Sequence, residues 1–155
     1  MDRIDRAIVG HLQKNARLSN KELAARVGLA PSSCLERTRR IEAEGWIQGY
    51  HAHVRPAALG IGLEALIAVR VERQGPEVID AFRGAIREFS EVVGLYYIAG
   101  ANDFLLHVAA RDVAHIREIA QDRVTSLSVV TYVETVLIFE HERIRELPDL
   151  LATGD

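Results

Sequence analysis

The chain has 155 residues, 48% of them apolar and 26% charged, and a formal charge of −3. That length fits one domain or two small ones, and the composition excludes a collagen, a disulfide-stapled mini-protein and a disordered tail. No stretch approaches the ~18 continuous apolar residues of a membrane span. The opening Met1–Arg6 lacks the apolar core of a signal peptide, and Cys34 stands alone, which together point to a reducing cytoplasm.

The charge is unevenly placed. Residues 1–56 hold ten Lys and Arg against six Asp and Glu, a net +4, whereas residues 57–155 hold nine against sixteen, a net −7. A basic module that meets a polyanion, joined to an acidic module with another task, would show this asymmetry. Seventeen of the nineteen basic residues are Arg, a bias that suits bidentate contacts to phosphate or guanine and that genome composition produces equally well. Pro56 and Gly60 mark residues 56–62 as a connector.

In the first half, Ile4, Ile8 and Leu12, with Ala7 beside them, form one apolar stripe and predict a helix over about 4–14, capped by Asp2 or Asp5. Ser19 and Glu22 make a capping box for a second, short helix that stops at Gly28. Pro31 suits the first position of a third helix over about 31–44, with Leu35, Thr38 and Ile41 inward and Gly45 at its end. Two helices joined by a Gly-containing turn make a helix-turn-helix. Trp46-Ile47 and Tyr50 through Val54 alternate as a small β-wing would, so residues 1–55 read as a winged helix-turn-helix domain. Its second helix would show Ser32, Ser33, Glu36, Arg37 and Arg40 outward. With Ser19, Asn20, Lys21 and Pro31, these are the candidate DNA contacts, because the start of a recognition helix reaches base edges. A solvated face with a Glu36–Arg40 pair, or a protein docking site, remains open on spacing alone.

The second half alternates from Leu63 to Glu72, breaks at Gly75-Pro76, and then follows helical spacing through Val78, Ile79, Phe82, Ile86 and Phe89. Val92–Ala99 and Phe104–Ala110 read as strands around a Gly100–Asp103 turn. Asp112 caps a helix carrying Val113, Ile116, Ile119, Ala120 and Val124, and Val129–Phe139 is the last strand. The order βαββαβ over 63–142 is ferredoxin-like, which makes the whole chain α+β, with 143–155 as a tail. The strands are apolar on both faces, as at Leu95 and Tyr97 against Tyr96 and Ile98. Two helices cover one face, so the other calls for a partner, most simply a second copy.

These residues resemble the leucine-responsive regulatory protein/AsnC (Lrp/AsnC, feast/famine) family of transcription regulators. The matching run includes Asp2-Arg3-Ile4-Asp5-Arg6, Ser19-Asn20, Glu22-Leu23-Ala24, Arg26-Val27-Gly28-Leu29, Cys34-Leu35-Glu36-Arg37 and Gly45 through Tyr50. Gly100 with Asp103-Phe104-Leu105-Leu106 matches the family's G-x-x-D-[YF]-L-L turn. The resemblance implies double-stranded DNA as partner, read as a pseudo-palindrome, and an amino acid or related metabolite as effector. It also implies a homodimer that assembles to tetramers or octamers. Carried over by position, the effector residues are Gly100, Ala101, Asn102, Asp103, Phe104, Val133 and Thr135. Ala101 replaces an acid common in the family, and Val133 replaces the first threonine of a T-x-T pattern. Both changes remove polar groups that would hold an amino acid.

Other chemistry is sparse. Asp103 is read equally as a turn residue bonding its own backbone and as an acceptor for an effector's ammonium. Cys34 is read as an ordinary packed residue. His51 and His53 share a strand face but lack further ligands, so no metal site is expected. His107 is read as a satisfied core or interface histidine. No nucleophile, phosphate-loop or dinucleotide motif is present, so no catalytic residue and no cofactor are expected. Competing readings are a siroheme decarboxylase-like enzyme, drawing on Arg111, His115 and Arg117, and a DNA-organising protein of the nucleoid.

Overall fold

The structure, a computed structural model, describes residues 1–72, 75–142 and 146–151. It divides into two compact units, Met1–His53 with the described C-terminal residues from Glu142, and Val54–His141.

The first unit is built from α1 (Arg3–Lys14), α2 (Asn20–Val27) and α3 (Pro31–Ala43). Asp2 and Asp5 cap α1 reciprocally, each carboxylate accepting the other's amide at 2.9 and 3.0 Å. Ser19 and Glu22 do the same for α2, which Gly28 ends at φ 69°. Ile8, Leu12, Leu23, Ala24, Cys34 and Ile41 are the buried core.

Three expectations are corrected here. Cys34, not Leu35, faces inward: Cys34 is fully buried and Leu35 is 38% exposed. Cys34, Thr38 and Ile41 keep the i, i+4, i+7 spacing with a small hydrophobe at its head, and the Thr38 hydroxyl donates to the Cys34 carbonyl at 2.9 Å. Likewise Ala7 is exposed, and Val9 packs on the core instead. The β-wing is also absent. Residues 44–55 form no strand, because alternation needs a second strand to pair with and a lone two-stranded ribbon is marginal in water. The segment is tied back to α3 by Trp46 and Tyr50, which donate to Glu44 and Glu42 at 2.9 and 2.8 Å.

Within the expected tail, residues 143–145 and 152–155 lie outside the described residues. The part between them runs along α1. The Leu147 amide donates to Gln13 at 2.7 Å, and Lys14 and Arg6 pair with Glu146 and Asp149.

The second unit opens with a short 3₁₀ turn, Pro56–Leu59. It continues as β1 (Leu63–Val71), α4 (Pro76–Arg87), β2 (Val92–Tyr97), β3 (Phe104–Ala110), α5 (Val113–Arg117) and β4 (Val130–Ile138). The strands form an antiparallel sheet in the order β2-β3-β1-β4, the ferredoxin-like arrangement. α5 runs on into a wider π-helical stretch, Glu118–Val124, closed where Thr125 donates its amide and hydroxyl to Ala120. Both helices lie on one face. Ala65, Ile67, Val69 and Val71 and their neighbours Leu106 and Val108 are buried there with Phe82, Ile86 and Ile119. Phe104 stacks between Phe82 and Tyr97, with ring centroids 4.5 and 5.1 Å away.

At the entry to β1 the backbone passes so close to the turn after β3 that a Cβ on Gly62 would sit 2.2 Å from the Arg111 carbonyl oxygen. Backbone cannot yield as a side chain does. Gly62→Ala is therefore expected to cost about 1–3 kcal/mol in urea unfolding. Gly84→Ala, in the interior of α4 with nothing within 4 Å, should instead be neutral or raise stability by up to about 1 kcal/mol.

Candidate nucleic-acid interface and effector cleft

α3 begins with Ala30 as its N-cap and Pro31 in its first turn, and no side chain caps it. The first-turn amides of Ser32 and Ser33 therefore face outward, which suits an anion. Asn20 holds this end in place by donating to the Pro31 carbonyl at 2.7 Å. The Ser19 hydroxyl is engaged with Glu22 at 2.7 Å, and Lys21 is exposed. The Cys34–Thr38–Ile41 stripe turns Ser32, Glu36 and Arg39 to the opposite side of the helix, and all three are exposed, as is Ser33.

Arg37 and Arg40 are placed differently from the expectation. Arg37 is 28% exposed and donates to Asp2 at 2.5 Å and to Asp5 at 2.8 Å. Arg40 donates to the other Asp5 oxygen at 2.8 Å and approaches Glu44 rather than Glu36, the partner in the alternative reading of a solvated face. Asp5 is only 2% exposed. A buried carboxylate needs a cation and hydrogen bonds, and α3 supplies the cations from two residues three apart. Arg37 thus staples α3 to the start of α1. Arg39, which the sequence reading passed over, is the outward arginine and has no ion pair among the described residues. The signal was present: acids at 2 and 5 match arginines at 37 and 40.

The Asp5 amide, then the Arg37 guanidinium, hold the Asp2 carboxyl down at about 2. Burial pushes Asp5 up, but the Asp2 amide and Arg37 outweigh it and leave the group below the usual carboxylate range. Both groups titrate lower folded than unfolded. Their stabilisation is therefore complete above about pH 4 and is lost as pH falls toward about 2. Chemical unfolding followed from pH 5 to 2 should show the first domain weakening over that window. Arg37→Ala should cost roughly 1–3 kcal/mol at neutral pH, because it leaves Asp5 underpaired, and should flatten the acid dependence. An Arg37→Ala domain as stable as its parent would contradict the staple.

In the second unit the Gly100–Asp103 turn is held from beneath. Asp103 is 7% exposed and accepts the Val71 amide at 2.9 Å, its own amide donates to Val69, and its carbonyl accepts from Ile98. Phe104 is fully buried in the core. Asn102 accepts from Arg70 at 3.1 Å, and the Arg70 guanidinium lies over the Tyr132 ring. Gly100, at φ 138°, and Ala101 are exposed. Val133 and Thr135 lie across β1 from this turn, since Val69 pairs with Val133 and Ile67 with Thr135. They line a cleft of about 660 Å³ between β4 and α5, whose other wall includes Arg117, Gln121 and Thr125. The turn does not line that cleft. Arg111 donates its backbone amide to His115 at 3.4 Å, but the His115 and Arg117 side chains are engaged in different places. His115 is buried and approaches Glu91 at 3.5 Å, while Arg117 lines the cleft and donates to Gln121.

A helix-turn-helix with an open recognition helix, followed by a separate βαββαβ domain with a lateral cleft, defines a two-part regulator: one part for DNA, one for a ligand. Residues 1–42 match the AsnC-type helix-turn-helix domain, and residues 64–147 match the Lrp/AsnC ligand binding domain. The HTH-type transcriptional regulator AldR of Mycolicibacterium smegmatis is 41% identical over 143 residues, 92% of this chain and 84% of the relative. The leucine-responsive regulatory protein of Escherichia coli is 36% identical over 140 residues, 90% of this chain and 85% of the relative. A transcriptional regulator from Neisseria meningitidis, solved in complex with L-Met, superposes with a TM-score of 0.87 at 30% identity, covering 96% of both chains. The chain belongs to the Lrp/AsnC family of transcription regulators. It carries that family's DNA-binding and ligand-binding domains, its relatives are named as regulators rather than enzymes, and no described helix is long and apolar enough to cross a membrane.

Proposed function

We propose that the protein is a cytoplasmic, nucleoid-associated regulator of amino-acid or related metabolism that binds a pseudo-palindromic operator as a homodimer and assembles further to tetramers or octamers. The observation that carries the DNA reading is the exposed side of α3. Ser32, Ser33, Glu36 and Arg39 face away from the core beside an uncapped helix start. In this reading that helix enters the major groove. The amides and serines take a phosphate, Arg39 takes a guanine edge or phosphate, and Lys21 adds a backbone contact from α2. Asn20 and Pro31 set the start of α3, Ser19 sets α2, and Arg37 and Arg40 fix the helix rather than read DNA.

Dimerisation through the open face of the sheet has its support in what that face carries. Tyr96, Val136 and Tyr132 are 53, 51 and 41% exposed around the half-buried Leu66 and Leu105, an apolar patch of the kind that marks an interface. The effector is an amino acid or a close relative, by analogy with the L-Met complex. Gly100 and Ala101, with the half-buried Asn102, offer a rim that Asp103 and Phe104 hold in place, and Val133 and Thr135 line the separate cleft beside β4. The ligand acts only through unequal affinity for two arrangements of the assembly.

Gel shifts on the DNA upstream of the gene, repeated across the twenty amino acids, test operator and effector together. Arg39→Ala should weaken specific binding by roughly tenfold or more at matched salt, with an unchanged melting temperature. Undiminished affinity would remove Arg39 from the interface. Val136→Asp should shift sedimentation from dimer toward monomer, and a parent protein that sediments as a monomer at every concentration would overturn the pairing.

A further inference from the structure

Three metal-ligating side chains meet on the open face of the sheet. Glu64 comes from β1, His107 from β3, and His141 from just beyond the end of β4. Glu64 Oε2 lies 2.5 Å from His107 Nε2 and 4.0 Å from His141 Nδ1. One donor atom from each residue lies within 4.8 Å of the other two. The two imidazoles approach edge to face, with centroids 5.7 Å apart. Among the described residues this is the one place where three such donors converge. A Glu64–His107 hydrogen bond satisfies both partners on a half-buried surface, but it does not account for the second imidazole turned toward the same carboxylate.

We propose that Glu64, His107 and His141 bind a divalent transition-metal ion of the zinc type. Two imidazole nitrogens and one carboxylate oxygen form a donor set that suits such ions. Calcium and magnesium prefer shells made of oxygen alone. Zinc bonds of 2.0–2.1 Å in a tetrahedron place the donor atoms ~3.4 Å apart. Reaching that spacing requires Glu64 and His107 to part by about 1 Å and His141 to close on Glu64 by about 0.6 Å. His141 lies past the last strand with half of its side chain exposed, which leaves its ring room to move. The fourth position is left to water. The ion would tie β1, β3 and the chain beyond β4 together, as an input separate from the amino-acid effector.

The test uses untagged, chelator-treated full-length protein titrated with Zn²⁺ against a chromophoric competitor, and with Co²⁺ by visible absorption. One ion per chain is expected, with Co²⁺ bands of tetrahedral type and a higher melting temperature in the presence of Zn²⁺. His107→Gln and His141→Gln should each weaken uptake by at least roughly tenfold and abolish the thermal shift. His141→Gln should melt like the parent without metal, so its loss of binding is not a folding defect. A His51→Gln/His53→Gln double variant, which removes the other close histidine pair, should bind as the parent does. Parent-like affinity in His141→Gln, loss of uptake in the double variant, or no uptake by the parent would each overturn the site.

Discussion

Two helices cannot cover both faces of a four-stranded sheet, and the second domain is organised around that constraint. α4 and α5 seal the face that carries Ala65, Ile67, Val69, Leu106 and Val108, which are buried with Phe82, Phe104 and Ile119. The other face keeps Leu66, Leu105, Tyr96 and Val136 as partly or largely exposed apolar groups. It also carries Glu64 and His107 in mutual contact. Burying apolar surface is the main favourable term in folding and in association alike. A sheet finished on one side and unfinished on the other thus holds a core on one face and leaves apolar surface exposed on the other. α5 leaves room over β4, and that uncovered strip is the cleft lined by Val133 and Thr135.

The first domain meets a different shortage. Among the described residues its buried apolar core is Ile8, Leu12, Leu23, Ala24, Cys34 and Ile41, and a module that small buries too little surface to be held by packing alone. Polar devices take up the difference. Reciprocal caps open α1 and α2, the Asn20 amide ties α2 to α3, and Asp5 with Arg37 and Arg40 ties α3 to α1. The same ion pairs that stabilise the domain fix the position of α3 against α1. Both contacts of Arg37 come from one guanidinium nitrogen, Nη1, which Asp2 and Asp5 share.

The staple also changes how the charge is understood. The +4 of residues 1–56 counts Arg37 and Arg40, which Asp2 and Asp5 already engage, and Arg6 and Lys14 pair with Asp149 and Glu146. Fewer cations are left for phosphates than the formula suggests. The −7 of the remainder disfavours approach of that part to a duplex and so favours presentation of the basic heads.

What the sequence by itself determined is everything set by near neighbours. The Asp2/Asp5 and Ser19/Glu22 caps, the Gly28 stop, the helical stripes and the strand alternation depend on residues within a few positions of each other. They place α1 to α3 and the βαββαβ order within a residue or two of where the structure has them. Tertiary structure alone decided which residues far apart in the chain face each other. Cys34 replaced Leu35 at the head of the inward stripe while Thr38 and Ile41 kept their places, and Arg37 was drawn to Asp2 and Asp5 while Arg39 stayed outward. The alternation of Tyr50 to Val54 had no strand to pair with, so no wing formed. Glu64, His107 and His141 are 43 and 34 residues apart, and only the antiparallel register of β1 with β3 and β4 brings them together. Periodicity encodes which side of an element is apolar. It leaves undetermined the rotation and register at which that side docks, because these follow from packing against partners that no local window contains.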